Sequence, residues 1–332
     1  MIITKTPFRM SFFGGGTDTE FFFRKYGGAV LSTTFDKYCY VNVRNLPPFF
    51  DYSTELCYSK IEKVKNIEEI EHPAIKHAMK MIDVHNIRLV YEADLPARSG
   101  LGTSSSFAVG MLSAFYAMKG KSVSKRRLAD DAIYLERFLC DEAGGWQDQI
   151  AAAFGGFNRI NFNIDGSYDV IPLDIHADKK RLLCENLMMF FTRFTRLSSD
   201  IQKTNAAGYA QNVNKLKEMY ALVDEAEKVL LDKDGDIDDF GRLLDYTWRL
   251  KRKTGGAITS SAIDKLYENG IKAGALGGKL LGAGGGGFLI FYVQPDKQQA
   301  LKDAMSGLIH VPFKFENDGT SLVHIMQDEH TS

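Results

Sequence analysis

Residues 95–109, LPARSGLGTSSSFAV, join two glycines to a run of hydroxyl side chains where a strand-like pattern gives way to a helical one. Gly100 and Gly102 allow the backbone to turn where Cβ atoms would collide. The first N–H groups of a helix have no partner within it and lie at the positive end of its dipole. The segment therefore predicts an anion site, with phosphate as the usual anion. The same residues also suit an ordinary capped helix.

The loop fits neither of the two best-known nucleotide-binding patterns. The dinucleotide pattern needs a third glycine where Ser105 stands. The P-loop needs a glycine five residues before a Gly-Lys pair and a Ser or Thr directly after it. The nearest pair, Gly278-Lys279, has Ala273 upstream and Leu280 downstream. A phosphate site here would belong to another class.

Two further glycine-rich segments stand far from the first along the chain. Residues 7–18 read PFRMSFFGGGTD, and residues 278–288 read GKLLGAGGGGF. Glycine costs conformational entropy on folding, and it is typical of places where a ligand or another backbone approaches closely. A flexible turn is the alternative interpretation.

Two acidic residues accompany these segments. Glu136 falls within a helical pattern, and Asp148 follows Gly144-Gly145. A carboxylate can bind Mg²⁺ or act on a hydroxyl proton. Taken singly, Glu136 suits a solvated helix face and Asp148 suits a helix cap. Their position between the glycine-rich segments favours a site.

Composition limits the class of protein. A chain of 332 residues suggests about two domains. A net charge of −1 argues against nucleic acid as the main partner. Four scattered cysteines without a CxxC pair indicate free thiols in a reducing compartment. The chain start lacks a leader pattern and no apolar run reaches membrane length, so we expect a soluble cytoplasmic protein with no membrane partner.

The pattern of elements changes along the chain. The first part is rich in strands, including residues 2–13 and a hairpin around Asp165-Gly166. Helical spacing covers residues 104–118 and 125–140, and later residues 205–231, 238–253 and 259–270. The apolar stripe of the first of these helices favours a core position. We expect an α+β protein with a domain boundary near residue 180.

The three glycine-rich segments resemble the three motifs of the GHMP kinases, the superfamily of galactokinase, homoserine kinase, mevalonate kinase and phosphomevalonate kinase. They follow the family order and spacing, and the similarity runs along the whole chain. The resemblance implies a ribosomal protein S5 domain 2-like N-terminal domain over residues 1–180 that binds ATP and Mg²⁺, with a left-handed βαβ unit. It also implies a ferredoxin-like C-terminal domain over residues 181–332 that holds the third motif and the acceptor site.

The resemblance also implies roles for individual residues. Asp148 would take or orient the acceptor hydroxyl proton, and Arg9 would stabilise charge beside it. Ser104 and Glu136 would bind Mg²⁺. Arg98 and Thr103 replace a small residue and a serine of the family motif. The implied ATP-binding residues are Pro96, Ser99, Gly100, Leu101, Gly102, Thr103, Ser104 and Ser105.

The acceptor is implied by finer similarities. The runs GGGTD, GWQDQIAAAFGG, TRFTR and WRLK are most similar to the kinases of D-glycero-α-D-manno-heptose 7-phosphate, which phosphorylate the anomeric C1 hydroxyl and supply nucleotide-activated heptose for surface polysaccharides. Basic side chains would bind the phosphate already present, although each also suits a solvated surface. The implied substrate-binding residues are Asp18, Thr17, Gly16, Gly15, Gly284, Gly285, Arg193, Arg196 and Lys251.

Three alternatives stay open at this point. A fucokinase-type sugar 1-kinase acting on an unphosphorylated sugar is the nearest, and a non-catalytic sugar or nucleotide sensor is less favoured because Ser104, Glu136 and Asp148 are all present. An isoprenoid-pathway kinase is disfavoured because Asp18 suits a polyol. The protein is expected to be a monomer or a homodimer.

Overall fold

The computed structural model describes residues 1–97, 99–194, 208–255 and 258–325, which form two sheets with helices packed against them. The first sheet has the order β13-β1-β2-β5-β3-β4, with β12 and β6 also paired with β2, and β7 paired with β6. The second has the order β11-β8-β10-β9. The strands are β1 (Ile2–Phe13), β2 (Gly28–Asn45), β3 (Thr54–Cys57), β4 (Ile61–Val64), β5 (Ile87–Ala93), β6 (Phe157–Phe162), β7 (Tyr168–Pro172), β8 (Leu187–Phe191), β9 (Gly277–Leu280), β10 (Phe288–Tyr292), β11 (Ile309–Val311), β12 (Phe315–Glu316) and β13 (Ser321–Ile325).

The helices alternate irregularly with these strands, which confirms the α+β class. A π-helical turn, Tyr134–Leu139, continues α4, and short 3₁₀ turns cover Ile67–Glu69 and Pro295–Lys297. None of the described helices has the length and apolar character needed to cross a bilayer. The α-helices are α1 (Glu20–Tyr26), α2 (Pro73–Ile82), α3 (Thr103–Met118), α4 (Lys125–Ile133), α5 (Gln147–Phe154), α6 (Ala177–Asn186), α7 (Val213–Leu231), α8 (Asp238–Lys251), α9 (Ser261–Lys272) and α10 (Gln298–Ala304).

The core of the first part is built around α3. This helix is apolar on nearly every face, and it lies against β1 and β2 with α2, α4 and α5 around it. Phe107, Met111 and Phe115 are buried, which confirms the predicted core stripe. A helix that is hydrophobic all round is stable only when it is enclosed in this way. Its N-terminus is thereby held in a fixed position.

Several predicted elements are confirmed, with shifts at their ends. β1 covers the predicted strand, and β6 and β7 form the predicted hairpin with Phe162 opposite Tyr168. The helix predicted over residues 125–140 is α-helical only to Ile133 and then becomes a π turn. Sequence analysis did not identify β3, β4 or α1.

The two sheets meet through aromatic side chains at the end of β1. Phe12 and Phe13 each make an edge-to-face contact with Phe240 of α8, at ring-centroid distances of 5.3 and 5.1 Å. The end of the chain returns to the first sheet, where β13 pairs antiparallel with β1. We retain the division near residue 180 as a proposal, with the last two strands returning to the first sheet.

Candidate active site

The glycine-rich loop that contains Gly100 and Gly102 leads from β5 into α3, and we call it the phosphate loop. Gly100 and Gly102 have φ values of 81° and 73°, in the left-handed region that favours glycine. The N-cap residue of the helix that begins at Thr103 is Gly102, which has no side chain to cap it, and the first turn holds no acidic residue. The free N–H groups and the positive end of a 16-residue helix therefore point at one place. This geometry fits a phosphate group.

The third glycine-rich segment lies against this loop. A Cβ atom on Gly282 would stand 2.4 Å from Gly100 Cα, and one on Gly287 would stand 2.1 Å from the Ser99 carbonyl oxygen. Glycine is therefore required for the two backbones to touch. Gly285, which was predicted to bind the substrate, donates its N–H to the Ile258 carbonyl at 3.0 Å.

Arg9 and Asp148 form a two-pronged ion pair beside the same loop. Arg9 Nε and Nη2 donate to the two carboxylate oxygens of Asp148 at 2.7 and 2.8 Å, and Nη1 donates to the Gly100 carbonyl at 2.7 Å. Arg9 lies on β1, and Asp148 lies in the first turn of α5. The Arg9 guanidinium thus connects the glycine-rich segment of residues 7–18 to the phosphate loop and to the Asp148 carboxylate.

Glu136 lies under the start of α3 and is 1% exposed. Ser104 Oγ and Ser105 Oγ each donate to its carboxylate at 2.7 Å, and Gln149 Nε2 donates as well. Burial and the charge of Glu136 raise the pKa of Glu142 to about 6. No basic side chain of the described residues pairs with Glu136.

Ser104 and Glu136 together fit a Mg²⁺ ion. A hydroxyl and a carboxylate oxygen 2.7 Å apart are hard oxygen ligands, the kind that Mg²⁺ prefers. Within the described residues no group of three or more His, Cys, Asp or Glu side chains could hold a metal alone. Mg²⁺ commonly combines one or two protein oxygens with substrate phosphates and water.

Asp18 is a second buried carboxylate, 3% exposed, in the turn after β1. The Gly16 N–H donates to Asp18 Oδ1 at 2.9 Å. Burial, and secondarily the charge of Asp148, raise the pKa of Asp18. A Cβ atom on Gly145 would stand 1.8 Å from Asp18 Oδ2, so glycine is needed there. Thr17 holds the turn by donating to the Gly14 and Ala29 carbonyls.

A cavity of about 270 Å³ joins Arg9, Asp18 and Asp148, whereas Ser104 and Glu136 are not among the described residues that line it. Its volume is near the lower end of the roughly 300–1,000 Å³ typical of small-molecule pockets. It is lined by six predicted residues, which are Arg9, Gly15, Gly16, Asp18, Asp148 and Lys251. The wall residues that sequence analysis did not select include Ser11, Arg137, Gln147, Tyr209 and Lys279.

Two lysines stand out in the wall of this cavity. Lys251 Nζ donates to the Gly282 carbonyl at 2.5 Å, and burial lowers the pKa of Lys251 to about 8. Lys279 Nζ donates to the Ser11 and Phe12 carbonyls, and burial lowers its pKa well below the usual value. The position of Lys279 beside Gly278, within a glycine-rich segment, was the available sequence signal.

Other predicted residues are not brought to the cavity. Arg193 is exposed, with a φ of 62°, and Gly284 and Gly285 lie against Ile258. None of these three is among the described residues that line the cavity. Arg196 and Arg98 lie outside the described residues. In the phosphate loop, Ser99, Leu101, Thr103 and Ser105 are buried and Pro96 is exposed.

Comparison with known proteins gives a family match in both halves of the chain. Residues 64–156 match the GHMP kinases N terminal domain, and residues 220–309 match the GHMP kinases C terminal domain. The D-glycero-alpha-D-manno-heptose 7-phosphate kinase of Campylobacter jejuni is 30% identical over 320 residues, which cover 92% of this chain and 93% of that protein.

Two further relatives extend this comparison. The bifunctional fucokinase/GDP-fucose pyrophosphorylase of Arabidopsis thaliana is 27% identical over 231 residues, which cover 68% of this chain and 22% of that protein. The crystal structure of a D-glycero-D-manno-heptose 1-phosphate kinase from Bacteroides thetaiotaomicron has a TM-score of 0.81 at 24% identity, covering 98% of this chain and 100% of that one. This last likeness concerns the fold.

Proposed function

The chain belongs to the GHMP kinase family, and on that basis we propose that it phosphorylates the anomeric C1 hydroxyl of D-glycero-D-manno-heptose 7-phosphate. Family membership makes it an ATP-dependent phosphotransferase with an alcohol acceptor. The product is the 1,7-bisphosphate, an intermediate toward nucleotide-activated heptose and surface polysaccharide. The observation that carries the proposal is the nearly full-length similarity to a heptose 7-phosphate kinase, combined with a cavity that joins Asp18 and Asp148.

Asp148 holds the C1 hydroxyl in this proposal. Its carboxylate accepts the hydroxyl hydrogen bond, directs the oxygen toward the γ-phosphorus and takes the proton as the new bond forms. Arg9 fixes the carboxylate through two hydrogen bonds before the acceptor arrives. Such fixed orientation lowers the entropy cost of reaching the transition state.

The nucleotide lies along the start of α3. The N–H groups of residues 100–105 bind its phosphates, with Pro96 and Ser99 at the entrance of the loop. Ser104 and Glu136 would hold Mg²⁺, which would neutralise negative charge on the nucleotide phosphates. Gly282 keeps the third glycine-rich segment in contact with Gly100, and so closes the phosphate loop on one side.

The acceptor lies between the two carboxylates and the glycine turn. Asp18 accepts hydrogen bonds from the sugar hydroxyls, Thr17 supports it, and Gly15 and Gly16 leave room for the ring. Lys251 lines this space. We keep the two predicted arginines and two further glycines as candidate contacts from the loop beyond β8 and the third glycine-rich segment: Arg193, Arg196, Gly284 and Gly285.

A fucokinase-type sugar 1-kinase is the second candidate. The match to the Arabidopsis fucokinase supports it, and the anomeric hydroxyl would again be the acceptor. The two candidates differ in the sugar and in whether it already carries a phosphate.

An ADP-release assay separates the candidates. Purified enzyme with MgATP is given heptose 7-phosphate, unphosphorylated heptose, L-fucose or D-galactose, and kcat/KM is measured for each. We expect the highest value with heptose 7-phosphate. Preference for a free sugar would establish the second candidate, and absence of ADP with every acceptor would favour a non-catalytic sensor.

A further inference from the structure

Lys279 is a buried cation that has no anionic partner among the described residues. Its side chain is 2% exposed, and Nζ donates to the main-chain oxygens of Ser11 and Phe12 at 2.9 and 2.7 Å. Carbonyl oxygens carry only partial charge and do not neutralise an ammonium group. No carboxylate of the described residues lies within the 4.0 Å of an ion pair. An unpaired charge is costly to bury, which suggests that a partner arrives from outside.

Lys251, which lines the same cavity, is likewise a buried ammonium group without an ion-pair partner among the described residues. It is 5% exposed, and its single hydrogen bond within the described part of the chain is to the Gly282 carbonyl. Asp18 and Asp148 attract it across the cavity, but neither forms an ion pair with it, and Asp148 is already paired with Arg9. Both lysines are further repelled by Arg9, and Lys279 is repelled by Lys251. Positive charge is therefore concentrated at this wall.

Two uncharged polar groups lie at the same wall. Ser11 Oγ and Gln147 Oε1 are buried and have no hydrogen-bond partner among the described residues. A Cβ atom on Gly15 would stand 3.9 Å from Ser11 Oγ and 4.0 Å from Gln147 Nε2, so the absent side chain leaves open the space beside them. Buried polar groups normally have partners, and groups without one in a cavity mark a ligand position.

We propose that Lys251 and Lys279 bind the phosphate group already carried by the acceptor sugar, with the Ser11 hydroxyl as a further donor and Gln147 Oε1 as an acceptor for a neighbouring sugar hydroxyl. The inference rests on the proposed function, because it names the residues that distinguish heptose 7-phosphate from a free sugar. Each ammonium has three N–H donors. Lys279 spends two on carbonyls and Lys251 one, so the pair keeps three for the phosphate oxygens.

Selectivity is tested with Lys279→Met, which removes the charge and keeps the length of the side chain. We expect kcat/KM for heptose 7-phosphate to fall roughly 10- to 100-fold, as for a lost hydrogen bond to a charged group. The loss should appear in KM of the phosphorylated acceptor. The KM of ATP and kcat/KM for unphosphorylated heptose should stay within about twofold of wild type. Lys251→Met should act in the same direction if Lys279→Met does not fold.

Lys179→Met is the matched control. Lys179 is 7% exposed, and its Nζ also donates to main-chain oxygens, those of Asp232 and Gly235. It does not line the cavity. Its replacement should change stability as much as Lys279→Met does, and leave the preference for heptose 7-phosphate unchanged.

Isothermal titration calorimetry measures proton uptake on binding, a quantity that would not change if the lysines were only structural. Lys251 faces Arg9, Asp18, Asp148 and Lys279, and its pKa of about 8 should rise when a dianion binds. Binding at pH 8 should therefore take up protons. Heptose 7-phosphate, titrated in two buffers of different ionisation enthalpy, should show this uptake with wild type and less with Lys279→Met. Unphosphorylated heptose should show none.

The outcomes separate the inference from the function on which it rests. Wild-type preference for heptose 7-phosphate that survives in Lys279→Met and Lys251→Met would overturn the inference alone. Equal loss of kcat with both heptoses would also overturn it, since the lysines would then act on the transferred phosphoryl group. Wild-type enzyme without activity on heptose 7-phosphate would overturn both.

Discussion

Asp148 and Arg9 show how one ion pair can prepare a reaction at the level of single residues. The guanidinium is 4% exposed and touches both carboxylate oxygens, so the carboxylate cannot rotate freely. The same guanidinium bonds to Gly100 of the phosphate loop. In the proposed reaction, one rigid unit would therefore position both the acceptor hydroxyl and the phosphate, which is the arrangement that an in-line transfer needs.

Replacement of Asp148 should abolish turnover and spare nucleotide binding. An amide in Asp148→Asn keeps the shape, loses the negative charge and accepts only one of the two Arg9 hydrogen bonds. We expect kcat to fall roughly 10²- to 10⁴-fold, as for loss of a general base, and Asp148→Ala to fall at least as far. Steady-state kinetics and ATP titration would check this. Near-normal turnover of Asp148→Asn would remove the role assigned to it.

Asp18 should trade stability for acceptor binding. Burial and Asp148 raise the pKa of Asp18 above its unfolded value, so its ionised form costs stability above that raised pKa. As pH falls through the raised pKa, the carboxyl takes up a proton and this cost disappears. We expect Asp18→Asn to have a higher Tm than wild type at pH 8, with the difference shrinking toward pH 4, and a higher acceptor KM. A lower Tm at pH 8 would contradict this sign.

Sequence reasoning reached some of these residues and missed others for physical reasons. Arg9 and Asp148 stood in glycine-rich company that marks a site. Lys279 also stands in a glycine-rich segment, but its role was not predicted, because the burial of a lysine depends on β9 lying against the end of β1 and no local pattern reports such a contact. Ser11 and Gln147 became candidates only when the structure showed that Ser11 Oγ and Gln147 Oε1 are buried without a hydrogen-bond partner among the described residues.

At the scale of elements, the π-helical turn decides where Glu136 points. Helical spacing over residues 125–140 predicted a continuous α-helix, yet the chain adopts a π turn over Tyr134–Leu139. Periodicity cannot reveal this change, because one wider turn barely alters the apolar stripe. Such turns are frequent at functional sites. Here the turn holds the carboxylate under Ser104 and Ser105.

Glu136→Gln should weaken Mg²⁺ binding. The amide offers one neutral oxygen in place of a charged pair, so we expect the Mg²⁺ concentration for half-maximal activity to rise on the order of tenfold or more. Glu142→Gln is the matched control, because Glu142 lies nearby and accepts no hydrogen bond from Ser104. An unchanged Mg²⁺ dependence in Glu136→Gln would exclude this carboxylate as a ligand.

The contact between Gly282 and Gly100 is a second feature at the scale of elements, because it joins the third glycine-rich segment to the phosphate loop. Gly282→Ala would put a Cβ atom 2.4 Å from Gly100 Cα at a φ of 79°. We expect the KM of ATP to rise at least about tenfold because the phosphate loop must move. Gly120→Ala is the control, since Gly120 has a φ of 66° and no atom of the described residues would lie within 4 Å of an added Cβ. It should lose only about 1–2 kcal/mol of stability. Equal ATP KM values in both variants would contradict the contact's role.

At the scale of the whole molecule, the site lies where the two sheets meet. β1 carries Arg9 from the first sheet, and β9 carries Lys279 from the second. The pairing of β13 with β1 joins residues more than 300 positions apart, for example Ile2 with Ile325. Long-range pairing of this kind has no local sequence signal. The motif resemblance therefore predicted the fold class, while the convergence of residues became visible only in three dimensions.

The most direct test of the account is the position of the new phosphate on the product. ³¹P NMR of a reaction containing enzyme, MgATP and heptose 7-phosphate should show one anomeric phosphate formed for each ADP, with the 7-phosphate resonance retained. Asp148→Asn should give neither signal at the wild-type rate. A phosphate on another carbon, or inorganic phosphate as the only product formed with ADP, would contradict the assignment of a sugar 1-kinase.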